Sequence, residues 1–342
     1  MIVVRPASFI DVPGIEKLMM ANAVRVTTLP SDRDKLSELI NQSTQAFNGE
    51  LDKGNGEGAA NATFLFVMED VESGAILGVS GLDSCAGAGY PFFHYRMEDL
   101  IHASHHLGVN NKIPVLYLSH ELTGSTVLRS FAVDEEIRET ELFELLARAR
   151  FMFMAMFRER FSEQVCVEIQ GRLDENDDSP FWNSVGKHFF DIDFSTADYY
   201  VGVKSKTFIA ELMPQHPIYV PLLSEQARAV MNEEHDATTH TCQLLYREGF
   251  SKSRYIDIFD GGPVLTANTK DIATVAKLKS KEVKVSELVG GLKYLICNGQ
   301  LHDFRCAVGN LVDGIGDTVR VDEPVAKALN IEDGDAVGYA AL

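Results

Sequence analysis

The sequence is short of basic residues, of pairable cysteines and of long apolar runs, and each shortage excludes a class of protein. Only 31 of the 342 residues are Lys or Arg against 50 Asp or Glu, a formal net charge of -19. A nucleic-acid binder needs the opposite balance, because Lys and Arg make its phosphate contacts. The acidic field instead favours small cationic substrates through long-range steering. No apolar run approaches the ~20 residues that span a bilayer; the longest, Phe151 to Phe157, is a helix-sized patch. The five cysteines, Cys85, Cys166, Cys242, Cys297 and Cys306, are odd in number and contain no CxxC pair. That argues against a disulfide framework and a zinc knuckle and fits a reducing cytoplasm. The opening MIVVRPASF lacks the basic stretch, apolar core and cleavage site of a secretory signal and reads as a first strand.

What is present alternates strands and helices. Residues 2–5 form a β-branched strand, and Asp11 is placed to cap a helix carrying Ile15, Leu18 and Met19. A second helix covers 35–47. The Gly- and Asn-rich stretch 48–63 has no apolar period and reads as a mobile loop, either a lid or an insertion. FLFVMED and AILGVSGLD, separated by VESG, predict an antiparallel hairpin, and further strands cover 113–119, 127–133 and 165–173. From Glu141 to Phe161 the apolar residues line one wide face of a long helix, which is a core stripe. Ser179-Pro180 has the signature of a helix start, before an aromatic helix that stops at Gly186. CQLLYREGF is another helix end, followed by the strand YIDIFD and the turn Gly261-Gly262-Pro263. Beyond residue 266 short β-branched runs between Gly, Asn and Asp predict a small all-β module.

RPASFIDVPGIEKL, the hairpin, the strand with its long helix, and LLYREGF resemble the GNAT N-acyltransferase superfamily. The longer words HASHHL, NNKIPVLYLSHELTG, SPFWNSVGKHFFDIDF, AELMPQHPIYVPLL, YIDIFDGGP and NGQLHDFR are similar to the arginine N-succinyltransferase family across nearly the whole chain. Within it, HELTG and NGQLHDFR resemble most the alpha chain of the two-subunit arginine/ornithine form. The resemblance implies an α/β (α+β) GNAT-like fold over residues 1–265, a mixed and mostly antiparallel twisted sheet flanked by helices, with the C-terminal β-rich module at 266–342. It also implies a cytoplasmic enzyme that transfers succinyl from succinyl-CoA, its co-substrate, to the α-amine of L-arginine or L-ornithine. Its partner is a beta chain in a hetero-oligomer, with no tightly bound cofactor, no metal, no nucleic acid and no membrane.

Aminolysis of a thioester needs a neutral amine, donors for the tetrahedral oxyanion, and an acid for the departing thiolate. By the family pattern the proton donor is His235, in EEHDATTHTCQLLYREGF. Histidine suits the role because imidazole exchanges protons near neutral pH. Taken by itself His235 reads as an exposed histidine in a polar helix-start loop, and it is the resemblance that gives it the catalytic role. The family has Pro at the next position where Asp236 stands here, which either holds the imidazolium or alters the loop. The acyl-CoA contact on the preceding strand falls at Phe131, and Arg138 stands where the pyrophosphate loop carries its basic residue. Thr140 to Phe143 replace the glycines of the single-chain enzymes, and side chains there restrict close approach of backbone to phosphate. Glu135, Glu136, Glu139 and Glu141 crowd the same place with negative charge, or simply complement a helix dipole.

Weaker candidates remain open. His102, His105 and His106 have spacings compatible with a helical metal site, but no carboxylate pattern completes a ligand set. The DGGP turn either closes over substrate or ends a strand. Glu211 and Asp257 are carboxylates able to take a guanidinium or to form surface ion pairs. The rival to an enzyme chain is a non-catalytic GNAT-fold subunit that supports a catalytic beta chain, motivated by the glycine-free RETELF segment.

Overall fold

The structure, a computed structural model, describes all residues except 22–25, 27, 51–60, 88–90, 198–211, 288–290 and 315. Most of the expected loop 48–63, and the candidate Glu211, therefore lie outside the described residues. The chain forms two compact units, each assembled from separate stretches: residues 1–85, 126–165 and 268–342 in one, and 86–125 with 166–267 in the other.

The first unit is built on antiparallel strands β1 (Ile2–Pro6), β2 (Thr63–Asp70), β3 (Ala75–Asp83) and β6 (Thr126–Val133), adjacent in that order. The β2–β3 hairpin is the one the sequence predicts, with Gly74 at φ 70° in its turn. Three helices, α1 (Val12–Ala21), α2 (Arg33–Phe47) and α3 (Glu141–Met156), supply the apolar faces that cover it. Asp11 does not cap α1 as expected. It closes a preceding turn by accepting the Ser8 N–H at 2.8 Å and pairs with both terminal nitrogens of Arg5 at 2.8 Å. Phe153 of α3 centres an aromatic core with Phe47, Phe64, Phe66, Phe161 and Phe304, ring centroids 4.9 to 5.9 Å away. The NGQLHDFR word thus contributes a core residue, Phe304.

Strands β11 (Lys279–Val285), β12 (Leu292–Asn298), β13 (Cys306–Asp313), β14 (Thr318–Val321) and β15 (Ala336–Ala341) pair in the order β12-β15-β11-β14-β13 and back to β12. Ring closure removes free strand edges. Only the β11–β14 pair within this ring is parallel. β13 also pairs with β1, Val3 opposite Ala307, so the 266–342 stretch is continuous with the N-terminal sheet.

The second unit carries β4 (His94–Ser104) and β5 (Val109–Ser119), an eleven-pair hairpin, with β8 (Ile218–Tyr219), β9 (Ser251–Ile256), β10 (Pro263–Asn268) and the end of β7 (Gln164–Glu168), in the order β7-β10-β9-β4-β5-β8. Its core holds Tyr95, Leu116, Phe181, Trp182, Ile256 and Phe259. The Ser179 hydroxyl accepts the Trp182 N–H at 3.0 Å, which caps the short helix Pro180–Ser184 as Ser-Pro predicts. Trp182 stacks on Phe259 at 5.6 Å, and its Nε1–H donates to the Ile192 carbonyl at 3.0 Å. His102 lies on β4 and His105 and His106 in the exposed β4–β5 turn, so the helical spacing weighed for a metal does not exist. Among the described residues no group of His, Cys, Asp and Glu could hold a metal, and no helix is long and apolar enough to cross a membrane.

Candidate active site

The candidate residues fall in both units. Phe131 and Arg138 belong to the first and His235 to the second.

Along β6 the pairing with β3 slips. Ala132 faces Val79 and Arg129 faces Gly81, so Ser130 and Phe131 together oppose a single residue, a β-bulge. Ser130 sits at φ 54°, in the left-handed region that a non-glycine residue enters at a cost. It is held there by its N–H donating to Thr28 Oγ1 at 2.8 Å, while Arg129 next to it donates to Asp83 and to the Thr28 carbonyl, both at 2.8 Å. The bulge takes Ser130 and Phe131 out of one-to-one register with β3. The Phe131 ring packs edge-on against Phe143 of α3 at 5.3 Å.

Between β6 and α3 the chain makes a short 3-10 turn, Glu135–Ile137, capped by Asp134, whose carboxylate accepts the Glu136 N–H at 3.0 Å. Arg138 ends that turn. Thr140 is the N-cap of α3 and accepts the Leu142 N–H at 3.2 Å. Where the single-chain enzymes of the family have glycines, this chain has a self-capped helix start, and one of its first N–H groups is already engaged.

His235 stands at the start of a 3-10 turn, Asp236–Thr238. Its Nδ1 accepts the Ala237 N–H at 3.2 Å, which orients the ring and, in the neutral imidazole, puts the proton on Nε2 as a donor. Asp236 pairs with Arg172 at 2.9 Å. The backbone of this loop is stitched to two other segments: the His235 N–H donates to the Gln170 carbonyl at 2.9 Å, Glu234 bridges to Gly171, and the Asn232 N–H donates to the Gly261 carbonyl at 2.8 Å.

The turn that receives the last of those bonds is DGGP. The Asp260 carboxylate accepts the N–H of Gly171 and of Gly262, each at 2.7 Å, and so ties the 170–171 segment to the turn. Gly261 is at φ 71°, and a Cβ on Gly262 would lie 2.2 Å from the Ile169 carbonyl oxygen, so the glycines are there for close approach of backbones. Burial pushes the Asp260 carboxyl well above its usual range, with Asp257 adding to the rise and the two N–H groups opposing it. Asp257, weighed as a site for a cation, uses Oδ1 to accept the Phe259 and Asp260 N–H groups at 2.7 and 3.0 Å.

A polar cluster that the sequence reading missed lies on β4 and β9. Glu121 of the HELTG word takes the Tyr255 hydroxyl and the guanidinium of Arg96, and Arg254 approaches it at 3.0 Å. The Tyr255 hydroxyl and the two arginines hold the Glu121 carboxyl below its usual range. Close by in sequence, His94 is 1% exposed with Nε2 3.0 Å from Glu168. Sequence spacing could not join residues 94–98, 121, 168 and 254–255, because strand pairing alone brings them together.

The family described as arginine N-succinyltransferase beta subunit matches residues 2–274, and its C-terminal domain matches 276–341. A relative from Pseudomonas aeruginosa named arginine N-succinyltransferase subunit alpha is 42% identical over 343 residues, covering 100% of both chains. An arginine N-succinyltransferase from Yersinia pseudotuberculosis is 38% identical, covering 100% of this chain and 98% of its own. The solved structure titled arginine/ornithine succinyltransferase subunit AI from Pseudomonas aeruginosa is 40% identical with a TM-score of 0.90, over 100% of this chain and 98% of that one. With sequence and mixed α/β fold agreeing from end to end, the chain belongs to the arginine N-succinyltransferases, a family of acyltransferases.

Proposed function

We propose that this chain is the alpha chain of a cytoplasmic, hetero-oligomeric arginine/ornithine N-succinyltransferase with a GNAT-type fold. It transfers succinyl from succinyl-CoA to the α-amino group of L-arginine, giving N2-succinylarginine and CoA. The observation that carries this is the full-length relationship to a protein named subunit alpha, 42% identical. The β-bulge at Ser130 and Phe131 supports the acyl-CoA assignment, since strand backbone out of one-to-one register with its neighbour can pair with the amides of a pantetheine arm. Arg138 then offers charge to the pyrophosphate at the start of α3.

In the proposed reaction the neutral α-amine attacks the thioester carbonyl and the carbon–nitrogen bond forms. The tetrahedral intermediate collapses with loss of the CoA thiolate, the carbon–sulfur bond breaks, and the amine's surplus proton is passed on. His235 works from its imidazolium form, in which Nδ1 releases the Ala237 N–H: Nε2–H passes its proton to the thiolate, and the amine's surplus proton then replaces it on Nε2. No covalent acyl-enzyme is involved. The two family matches, which meet between residues 274 and 276, support reading 266–342 as a C-terminal β-rich module after a GNAT-like acyltransferase domain of 1–265.

A second reading has one observation in its favour, the self-capped and glycine-free start of α3. On that reading the chain is a structural half that supports a catalytic beta chain. CoA release from succinyl-CoA and arginine, measured for the chain alone and mixed with its partner, tests both, with N2-succinylarginine identified by mass spectrometry. Product from the chain alone contradicts the second reading, and the first expects product in at least the mixture. Absence of product from both preparations contradicts it.

A further inference from the structure

Among the described residues no carboxylate pairs with the most deeply buried arginine of the first unit. Arg150, on α3, is 2% exposed, and one hydrogen bond is recorded for it, Nε–H to the Ala147 carbonyl at 3.2 Å. Burial alone pushes its guanidinium down to about 9, with no carboxylate counteracting the shift. Its neighbours show what an arginine of this fold ordinarily has. Arg148, two residues away, reaches Glu144, Thr274 and the Ala341 carbonyl; Arg5 holds Asp11 and Glu69; Arg129 holds Asp83. Arg150 instead lies over the ring of Phe131, its Cζ 4.9 Å from the centroid, with Phe151 at 6.0 Å. A dry guanidinium with four of five donors uncommitted calls for an anion supplied from outside the chain.

The surroundings narrow the choice of anion. Arg150 lies nine residues beyond the start of α3, about 13 Å along the axis, whereas phosphates are received at a helix start. The rings beside it are aromatic, Phe131 and Phe151, with Phe143 packed on Phe131, which suits a short methylene chain, and Phe131 belongs to the β6 bulge rather than to the turn with Arg138. Resting on the reading of the chain as a succinyl-CoA transferase, we propose that Arg150 is the specificity determinant for the donor, binding the distal carboxylate of the succinyl group bidentately. A carboxylate matches the planar guanidinium fork, and an uncharged acyl group would leave that fork unpaired.

Titration calorimetry of succinyl-CoA, butyryl-CoA and free CoA against the full-length chain and its Arg150→Met and Arg150→Lys variants tests this without depending on turnover. Butyryl-CoA replaces the carboxylate by a methyl group and keeps the rest. The wild type is expected to bind succinyl-CoA at least tenfold tighter than butyryl-CoA. Arg150→Met loses that preference while its butyryl-CoA and CoA affinities stay unchanged, and Arg150→Lys keeps part of it. Arg150→Met also melts no lower than the wild type, because it removes an uncompensated buried charge, whereas an arginine with a purely structural role would lower the melting temperature. An equal fall for all three ligands points to a phosphate contact and overturns the proposal, as does an unchanged preference. Weakened binding of arginine, titrated in the same way, with unchanged donor preference overturns it in favour of the amino acid's own carboxylate. If donor preference behaves as expected but no N2-succinylarginine forms, the proposed reaction fails and the carboxylate site stands.

Discussion

Asp260 shows how a buried carboxylate positions a loop it does not belong to. Its two oxygens each accept one backbone N–H, from Gly171 and Gly262, and the segments so joined receive the backbone of residues 232–235. Asparagine has one acceptor oxygen, so Asp260→Asn leaves one N–H facing an amide donor and is expected to destabilise the fold by about 1–3 kcal/mol in urea unfolding. The pH dependence carries a definite sign. The folded carboxyl is raised by burial and by Asp257 and Glu168, so between its ordinary and its raised value the folded state binds more protons than the unfolded. Asp260 therefore contributes most below the ordinary carboxylate range, and its contribution falls as pH rises through the raised value. The stability gap between wild type and Asp260→Asn should shrink from acidic to neutral pH, and a gap that widens would contradict this account. DGGP was legible as a turn, but its role as a latch was not, because Gly171 is 89 residues away in sequence. Arg150 was not singled out in the sequence, because it is one of two arginines on α3 and only the fold shows which of them is buried.

Elements with a clean period were the legible ones. β2, β3 and α3 follow from alternation and from a wide apolar stripe, and Ser179-Pro180 marked its helix correctly. The β4 strand escaped because HYRMEDLIHAS is buried at its first two residues and largely exposed beyond, so no inside-outside alternation runs its length. The bulge in β6 escaped as well: Ser130 is not a glycine, and its left-handed conformation is imposed by Thr28, 102 residues away. Phe304 gives an element-level prediction. It is fully buried, 5.0 Å from Phe153 and 5.8 Å from Phe66, so Phe304→Ala should cost about 3–5 kcal/mol through the cavity left against α3. Thermal unfolding of that variant measures it, and a change below about 1 kcal/mol would mean that the segment 299–305 is not part of the α3 core.

At the scale of the whole molecule the chain leaves its first unit after residue 85, returns at 126, leaves again after 165 and returns at 268. Such nesting leaves no trace in composition, which is why a linear reading saw one domain and a module while the compact units are discontinuous. The 266–342 strands close into a ring of their own and also join β1, so the expected β-rich character is present within a larger sheet. The charge of -19 suits capture of a cationic amino acid but repels a polyanionic cofactor. Arg138, in the turn before α3, and Arg150, inside α3, are the two cations proposed to receive the anionic groups of succinyl-CoA.

The central claim is that this chain's own His235 moves the proton. The measurement that tests it most directly is the steady-state rate of CoA release by His235→Ala in the assembled enzyme, at saturating succinyl-CoA and arginine. The account predicts a fall in kcat of about 10²–10⁴-fold with the KM for either substrate little changed. An unchanged kcat would contradict it and leave the chain as the supporting half of a partner's active site.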